Sequence, residues 1–341
     1  MSHVTATKIS VAITGEVVLH RPVFERAGGL VDELGETSYD FTPMFGAVKT
    51  VLTEVDFSLA SLPSPVGAAR GPFASYPRFV SPPAIISNLR DVGFVACSLA
   101  SNHSLDDGLL GVRRTQKACK DAGLVAIGTR SAWHQYDFTL LTITNITLGL
   151  IAGTFGVNRG TEVPSSARLV DDIEPDRLLT AARRARMAGA EFVVASLHWG
   201  LEYESQPTSQ QVMIAEALAS SHLVDVIAGH HAHVVQPFDV LGTTAVAYGL
   251  GNLLSNQAPP ECPPSCQDGA IIILTFRRGL KDRWHLEGYK IIPTFVERPN
   301  YIIRTLSAAL LTSDSLSSSA RRTMSIMYAG GPREPLEAPT P

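Results

Sequence analysis

Short runs of Val, Ile and Ala recur along this chain between stretches whose apolar residues repeat at helical spacing. Lys8–Thr14, Asp56–Ser61, Phe94–Ala100, Glu191–Trp199 and Val224–His230 are almost continuously apolar, the pattern of strands covered on both faces. Between them, residues 45–55, 83–93, 109–123 and 209–222 place apolar side chains three and four apart, and two of these stretches end at glycine, a common helix stop. The alternation predicts an α/β fold, a sheet with helices outside it. The period then changes. Residues 136–153, residues 233–250, and the pair 270–279 and 283–295 read as hairpins, expected to form a second sheet packed on the first. Pro- and Gly-rich loops at 62–83 and 256–269 have the length of lids or site walls. Residues 1–330 read as one catalytic domain without internal repeats, and the Pro-rich tail 331–341 is expected to be disordered.

Composition narrows the function classes. With 341 residues, 45% hydrophobic and 18% charged, the chain can bury a full core. A formal charge of -4, with no Lys/Arg run interleaved with aromatics, argues against a nucleic-acid partner. No apolar run reaches the roughly 18 residues of a membrane span, and the start lacks a signal pattern, so no membrane partner and a cytoplasmic location are expected. The chain has four cysteines, and a zinc knuckle needs more ligands than the pair Cys262 and Cys266 offers. Cys97 falls in a strand, Cys119 in a helix and Cys262 and Cys266 in a loop, and all four read as free thiols, a local bridge between Cys262 and Cys266 being the lesser reading.

The polar candidates follow strand C-terminal ends, where open α/β sheets keep their sites. Glu16 follows the first strand beside Gly15, "SNHSLDDG" follows the third, and His198 ends the fourth. His230, His231 and His233 end the fifth in "VDVIAGHHAHVVQP". Four loops bringing Glu, Asn and His together form a donor set suited to a divalent metal. If residues 230–234 are extended, His231 and His233 share one face roughly 7 Å apart at Cα, with His230 on the other. His103 and Asp106 are close enough to pair within a turn, and a carboxylate on one ring nitrogen fixes the tautomer and raises basicity at the other. That pair is a candidate proton shuttle, while Asp107 reads as the cap of the next helix. Glu202 is a candidate neighbour of His198. No G-x-S-x-G elbow, Walker A loop or G-x-G-x-x-G after a strand supports other chemistries.

"GEVVLHR", "DFSLASLPSP", "LASNHSLDDGLLGV", "HWGLEY", "AGHHAHVVQP" and "YGLGNLL", in that order, resemble the poly-gamma-glutamate capsule-synthesis (CapA) family, a branch of the calcineurin-like metallophosphoesterases. The resemblance runs from about Lys8 to Leu274. It implies a four-layer α/β/β/α sandwich of two mixed sheets with a metal centre at the sheet edge. By that resemblance the family's first metal-binding Asp falls on Glu16, its Asn-His motif on Asn102 and His103, its later histidines on His198, His231 and His233, and the Arg after the first motif on Arg21. Two positions depart: Glu16 replaces a shorter Asp, and where the family has N-L-E-x-P this chain has Ser61, Leu62, Pro63, Ser64 and Pro65. The carboxylate that would bridge two metals is therefore replaced by Pro63.

The expectation is one divalent ion, Ca, Mn or Zn, held by Glu16, Asn102, His198, His231 and His233. The family includes soluble lasso-peptide epimerases, so the resemblance implies a metal-dependent peptide epimerase. It would invert the Cα of a C-terminal residue of a ribosomal peptide precursor, with His103, Asp106, His231 and His233 as acid and base and Arg21 on the peptide carboxylate. Asp268 is a candidate partner of the second base. The alternative is a metal-dependent hydrolase of a phosphoester or γ-glutamyl substrate, for which Glu54 or Asp56 would supply a displaced ligand.

Overall fold

A computed structural model describes residues 7–31, 37–130, 137–158, 169–278, 283–307 and 313–330. The tail 331–341 and Tyr136 lie outside them. The strands are β1 (Thr7–Val17), β2 (Gly28–Val31), β3 (Thr37–Tyr39), β4 (Phe57–Ser61), β5 (Ala96–Ser98), β6 (Val125–Ile127), β7 (Thr139–Ile143) and β8 (Ile146–Thr154). They continue as β9 (Phe192–His198), β10 (Val226–His230), β11 (Phe238–Leu241), β12 (Thr244–Ala247), β13 (Asn252–Leu254), β14 (Asp268–Arg278), β15 (His285–Glu297) and β16 (Ile302–Thr305). The helices are α1 (Arg21–Ala27), α2 (Gly46–Leu52), α3 (Ala84–Val92), α4 (Gly108–Ala122), α5 (Pro175–Met187), α6 (Ser209–Ser221) and α7 (Asp314–Met327).

Two mixed sheets result. One runs β16-β15-β14-β1-β4-β5-β6 with β13 paired to β1, and the other β11-β12-β10-β9-β8-β7. Three apolar clusters define four layers. Ile9, Val11, Phe57 and Leu59 of the first sheet meet Leu148, Leu150, Val194 and Val226 of the second. Phe45, Val48, Ile86, Leu89 and Cys119 pack helices α2, α3 and α4 on the outer face of the first sheet. Leu178, Ala182, Ile214 and Leu218 pack α5 and α6 on the outer face of the second. The predicted α/β/β/α sandwich of two mixed sheets is present. Among the described residues no helix is long and apolar enough to cross a membrane.

One expectation is corrected. The hairpins do not form a sheet of their own: β14 and β15 extend the first sheet through β1, while β7 and β11 flank the parallel strands β8, β9, β10 and β12 of the second. Antiparallel strands thus finish both edges of the second sheet and one edge of the first, whose other edge is the parallel strand β6.

The layout brings two sets of strand ends together. Glu16 lies in register with Ser61 of β4 and Asn252 of β13, and His198 with Thr154 of β8 and His230 of β10. Gly15 allows the approach: a Cβ there would sit 2.5 Å from the Gly251 carbonyl oxygen and 2.8 Å from that of Leu250. Only glycine lets the backbone at 250–253 lie so close to β1.

Candidate metal centre

Glu16 is fully buried at the end of β1, and three histidines converge on its carboxylate. Its Oε2 accepts the backbone N–H of His231 at 3.0 Å and lies 3.3 Å from His233 Nδ1. Its Oε1 lies 3.3 Å from His198 Nδ1, outside hydrogen-bond alignment, and both atoms are buried without a hydrogen-bond partner. The Nδ1 of His231 is a further buried orphan, its ring 4.7 Å from that of His198.

The segment carrying His231 and His233 is not a strand. β10 stops at His230, and His231 and His233 adopt positive φ angles of 89° and 56°. Left-handed backbone at two non-glycine residues is strained and persists only where surrounding contacts fix it. Here it is fixed by the Glu16 bond to the His231 N–H and by Tyr203 N–H donating to the Ala232 carbonyl at 2.7 Å. The two rings meet on one side, centroids 6.2 Å apart, because the chain turns rather than because it alternates.

Asn252 orients His233. Its Nδ2 donates to the Cys266 carbonyl and to Gln257 Oε1, both at 2.8 Å, so its Oδ1 must face His233 Nδ1 at 3.1 Å. His233 therefore carries its proton on Nδ1, shared between Asn252 and Glu16, and keeps its lone pair on Nε2.

The expected dyad is formed. His103 Nδ1 is 2.6 Å from Asp106 Oδ2, which also accepts the Phe79 N–H at 2.8 Å, and Asp106 is buried. The Phe79 ring meets His103 edge-on at 4.7 Å. Asp107 holds the N-cap position of α4 without a side-chain cap bond, and its carboxylate pairs with Arg114 instead. Asn102 Oδ1 lies 3.0 Å from His198 Nε2, beside the dyad.

Other candidates lie elsewhere. Asp268 is buried, but it accepts from Ser319 and Arg322 of α7 and is no partner to a histidine. Asp56 binds Ser10 at the start of β4, the wrong end of the sheet for a displaced ligand. Glu54 and Glu202 are exposed, and Arg21 is exposed on the first turn of α1, against Glu25 and the Phe24 ring. Pro63 is buried, its carbonyl accepting from Ser101. All four cysteines are free thiols.

Several residues of the site carried no sequence signal. Phe155, 48% exposed, packs 4.5 Å from His231 and stacks on His198. His20 meets Phe79 edge-on from a second direction. Asn158 contacts both Asn102 and His103. A lone Phe, His or Asn in a loop has no periodicity to mark it.

Burial sets the site's protonation. It would raise the Glu16 carboxyl, but the His198, His233 and His230 imidazoles outweigh it and hold Glu16 below the ordinary carboxylate range, so it is ionised. Burial lowers His198, against the opposing pull of Glu16. It also holds His20 and His230 down to about 4 and His231 to about 3. The unfolded rings take a proton near 6.5 and the folded ones only well below it. Between these values the unfolded chain binds more protons, so stability falls as the pH drops from 6.5 toward 4. For His230 alone the slope is at most about 1.4 kcal/mol per pH unit. Urea unfolding in chelator at pH 7.5, 6 and 5 measures it, and His230→Gln is expected to flatten the curve; an unchanged slope would exclude His230 as its source.

Among the described residues no three His, Cys, Asp or Glu side chains already converge on one point as metal ligands. The donors fit an ion in pairs instead. Two atoms each about 2.1 Å from one ion and about 100° apart are about 3.2 Å from each other, close to the 3.3 Å between Glu16 Oε1 and His198 Nδ1. Two buried orphans at that spacing, beside a third on His231, are a donor set in need of a cation. Asn102 faces His198 and His233 turns its Nδ1 to Glu16, so the five expected ligands are neighbours around Glu16 rather than a finished shell.

Residues 10–257 match the family described as "Bacterial capsule synthesis protein PGA_cap". The capsule biosynthesis protein CapA of Bacillus anthracis is 31% identical over 182 residues, 50% of this chain and 43% of that protein. The PGA biosynthesis protein CapA of Bacillus subtilis is 27% identical over 171 residues, 50% of this chain and 44% of that protein. The chain thus spans less than half the length of the curated relatives it matches. The crystal structure of the calcineurin-like phosphoesterase YfkN from Bacillus subtilis superposes with a TM-score of 0.52 over 94% of this chain and 98% of that one, at 13% identity, a likeness of fold. With a match covering most of its length, and the motifs of that match gathered around Glu16, the chain belongs to the bacterial capsule synthesis protein (PGA_cap) family.

Proposed function

We propose that the chain is a metal-dependent hydrolase of the CapA and metallophosphoesterase type, acting on a phosphoester or a γ-glutamyl amide. The observation that supports it is the orphaned pair Glu16 Oε1 and His198 Nδ1 at 3.3 Å beside the His103–Asp106 dyad, in a chain of this family. Glu16, His198 and His231 would hold one divalent ion, with Asn102 beside them. When bound, such an ion polarises a substrate oxygen and stabilises the negative charge that develops there. His103, its Nδ1 proton directed to Asp106, would take a proton from the attacking water on its Nε2 lone pair and hand that Nε2 proton to the leaving group. Asp106 stabilises the imidazolium formed in between.

A second reading, epimerisation at the Cα of a peptide residue, is favoured by one feature of the site. Pro63 stands where a second carboxylate would bridge two ions, while a second histidine–carboxylate pair, His233 with Glu16, faces the centre. Two-ion hydrolysis clamps both oxygens of the displacement, whereas Cα inversion needs one base, one acid and positive charge at the enolate. In that reaction His103 and His233 exchange the acid and base roles on opposite faces of Cα, and the substrate is a peptide with a free carboxylate. Mass spectrometry in heavy water separates the readings, using phosphorylated peptides, oligo-γ-glutamate and free-carboxylate peptides with and without chelator. Chelator-sensitive release of phosphate or glutamate supports hydrolysis; a one-dalton gain at Cα without cleavage replaces it with epimerisation.

A further inference from the structure

Cys262 and Cys266 stand at the two ends of a Pro-rich turn behind the histidine segment. Pro263 and Pro264 fix φ between them, and the Cys266 N–H donates to the Pro263 carbonyl at 3.0 Å within the short 3-10 turn Pro264–Gln267. The turn folds the chain back on itself and brings the two thiols into contact. Their surroundings differ. Cys266 is fully buried and packs on Ala232 and Val234, the residues on either side of His233. Cys262 is half-buried, and its neighbours Pro260, Glu261, Pro263 and Pro264 are exposed. The other two cysteines, Cys97 and Cys119, are fully buried between the first sheet and its helices.

The backbone of Cys266 is tied to the same segment. Its carbonyl accepts Asn252 Nδ2 at 2.8 Å, and that nitrogen also donates to Gln257 Oε1 at 2.8 Å. The Gln257 amide donates to the Tyr203 hydroxyl at 3.2 Å, and the Tyr203 N–H holds the Ala232 carbonyl. Residues 256–267 are thus fastened to the histidine turn near both ends, by Gln257 and by Cys266, with the exposed stretch 259–264 between. A bond from Cys262 to Cys266 would fasten that exposed stretch to its buried end.

We infer that Cys262 and Cys266 are a redox-modification site, joined by a small-molecule disulfide such as oxidised glutathione into a bridge that locks the 256–267 wall against the histidine turn. The thiolate of the more exposed Cys262 attacks one sulfur of oxidised glutathione, forming a mixed disulfide and releasing one glutathione thiolate. The thiolate of Cys266 then attacks the Cys262 sulfur. The internal S–S bond forms, the mixed one breaks and the second glutathione thiolate leaves. The two protons given up by the cysteines end on the two glutathiones, so one disulfide is reduced for each bridge made. Burial raises both thiols, Cys266 the more. That slows attack, but it also makes each thiolate a poor leaving group, so the bridge once closed resists reduction.

The test uses the full chain, incubated with oxidised glutathione, denatured in excess N-ethylmaleimide, digested and read by mass spectrometry. The peptide carrying Cys262 and Cys266 is expected unlabelled and lighter by two hydrogens, with Cys97 and Cys119 labelled. Label on all four cysteines, or glutathione left on Cys262 without the internal bond, would overturn the bridge. Hydrogen exchange then compares the reduced and bridged chains. Amides of residues 232–234 and 256–262 are expected to slow about tenfold on closure, because the bridge removes the local opening that exposes them. Unchanged exchange in a chain that mass spectrometry shows to be bridged would overturn the lock. In Cys262→Ser, oxidised glutathione is expected to change neither mass nor exchange, and slowing there would assign the effect to something other than the pair. None of these readouts depends on a bound ion or on which reaction the site performs.

Discussion

Glu16→Gln is expected to abolish divalent-metal binding and turnover together, while leaving the metal-free protein as stable as before or slightly more so. The carboxylate is fully buried, and its Oε2 accepts the His231 N–H with His233 Nδ1 3.3 Å away. An amide keeps that bond through its oxygen and removes the cost of holding a charge out of water. Its neighbours lose little, because burial already keeps the His198 and His231 rings uncharged at neutral pH. The loss falls on the ion: without the anionic donor, affinity should drop on the order of 100-fold or more, matching the few kcal/mol at stake in a buried charge–charge contact. Calorimetric titration with Mn(II) measures the first effect. Thermal unfolding with and without the ion measures the second, since a bound ion raises Tm only where it binds the native state. A variant that retains metal affinity would remove Glu16 from the centre. One that loses affinity and also unfolds in chelator would show that the carboxylate holds the fold rather than the ion.

How much of this centre was legible before the structure depends on the kind of signal each residue leaves. Glu16, His103, Asp106, His198, His231 and His233 stand at the ends of apolar runs, and strand ends are where an α/β sandwich collects its polar groups. The dyad needed only the short sequence separation of His103 and Asp106. The geometry of the triplet was not legible: two non-glycine residues in left-handed backbone obey no composition rule, and they follow from Glu16 and Tyr203 holding the turn from outside. Helices α5 and α7 left little trace for a different reason. Their buried faces, Leu178, Ala181, Ala182 and Ala185 in one and Ser319, Ala320, Thr323 and Met327 in the other, each carry one large apolar side chain among small or polar ones. The partition of strands between the sheets was likewise closed to local reading, because β14 reaches β1 across more than 250 residues of sequence. Asn102, Asn158 and Asn252 show the limit most plainly. Each acts by which of its two amide atoms faces a ring nitrogen, and only the surrounding donors and acceptors decide that.

His103→Ala is expected to lower turnover by about three orders of magnitude while leaving Mn(II) affinity within a few-fold of the unaltered chain. The ring is tied to Asp106 and packed on Phe79, and its contacts with the centre run only through Asn158 and Asn102, so its removal should not unseat Glu16 or His198. The fall belongs in kcat and kcat/KM alike, because proton transfer is an interaction made in the transition state rather than in substrate binding. Asp106→Asn tests the same pair from the other side. It keeps the shape but exchanges a charged acceptor for an amide, which weakens the hold on the Nδ1 proton and the support for a charged ring, and it should cost at least tenfold. The two substitutions together should cost no more than His103→Ala alone, since the carboxylate has no function without its imidazole. Additive losses would mean that Asp106 acts through Phe79 and the 62–83 loop instead of through the ring. Under the epimerase reading the variant carries a further signature: with His103 gone and His233 intact, Cα exchange should vanish from one stereoisomer of the substrate and persist from the other, whereas a hydrolase would lose its single proton shuttle and be slow toward both.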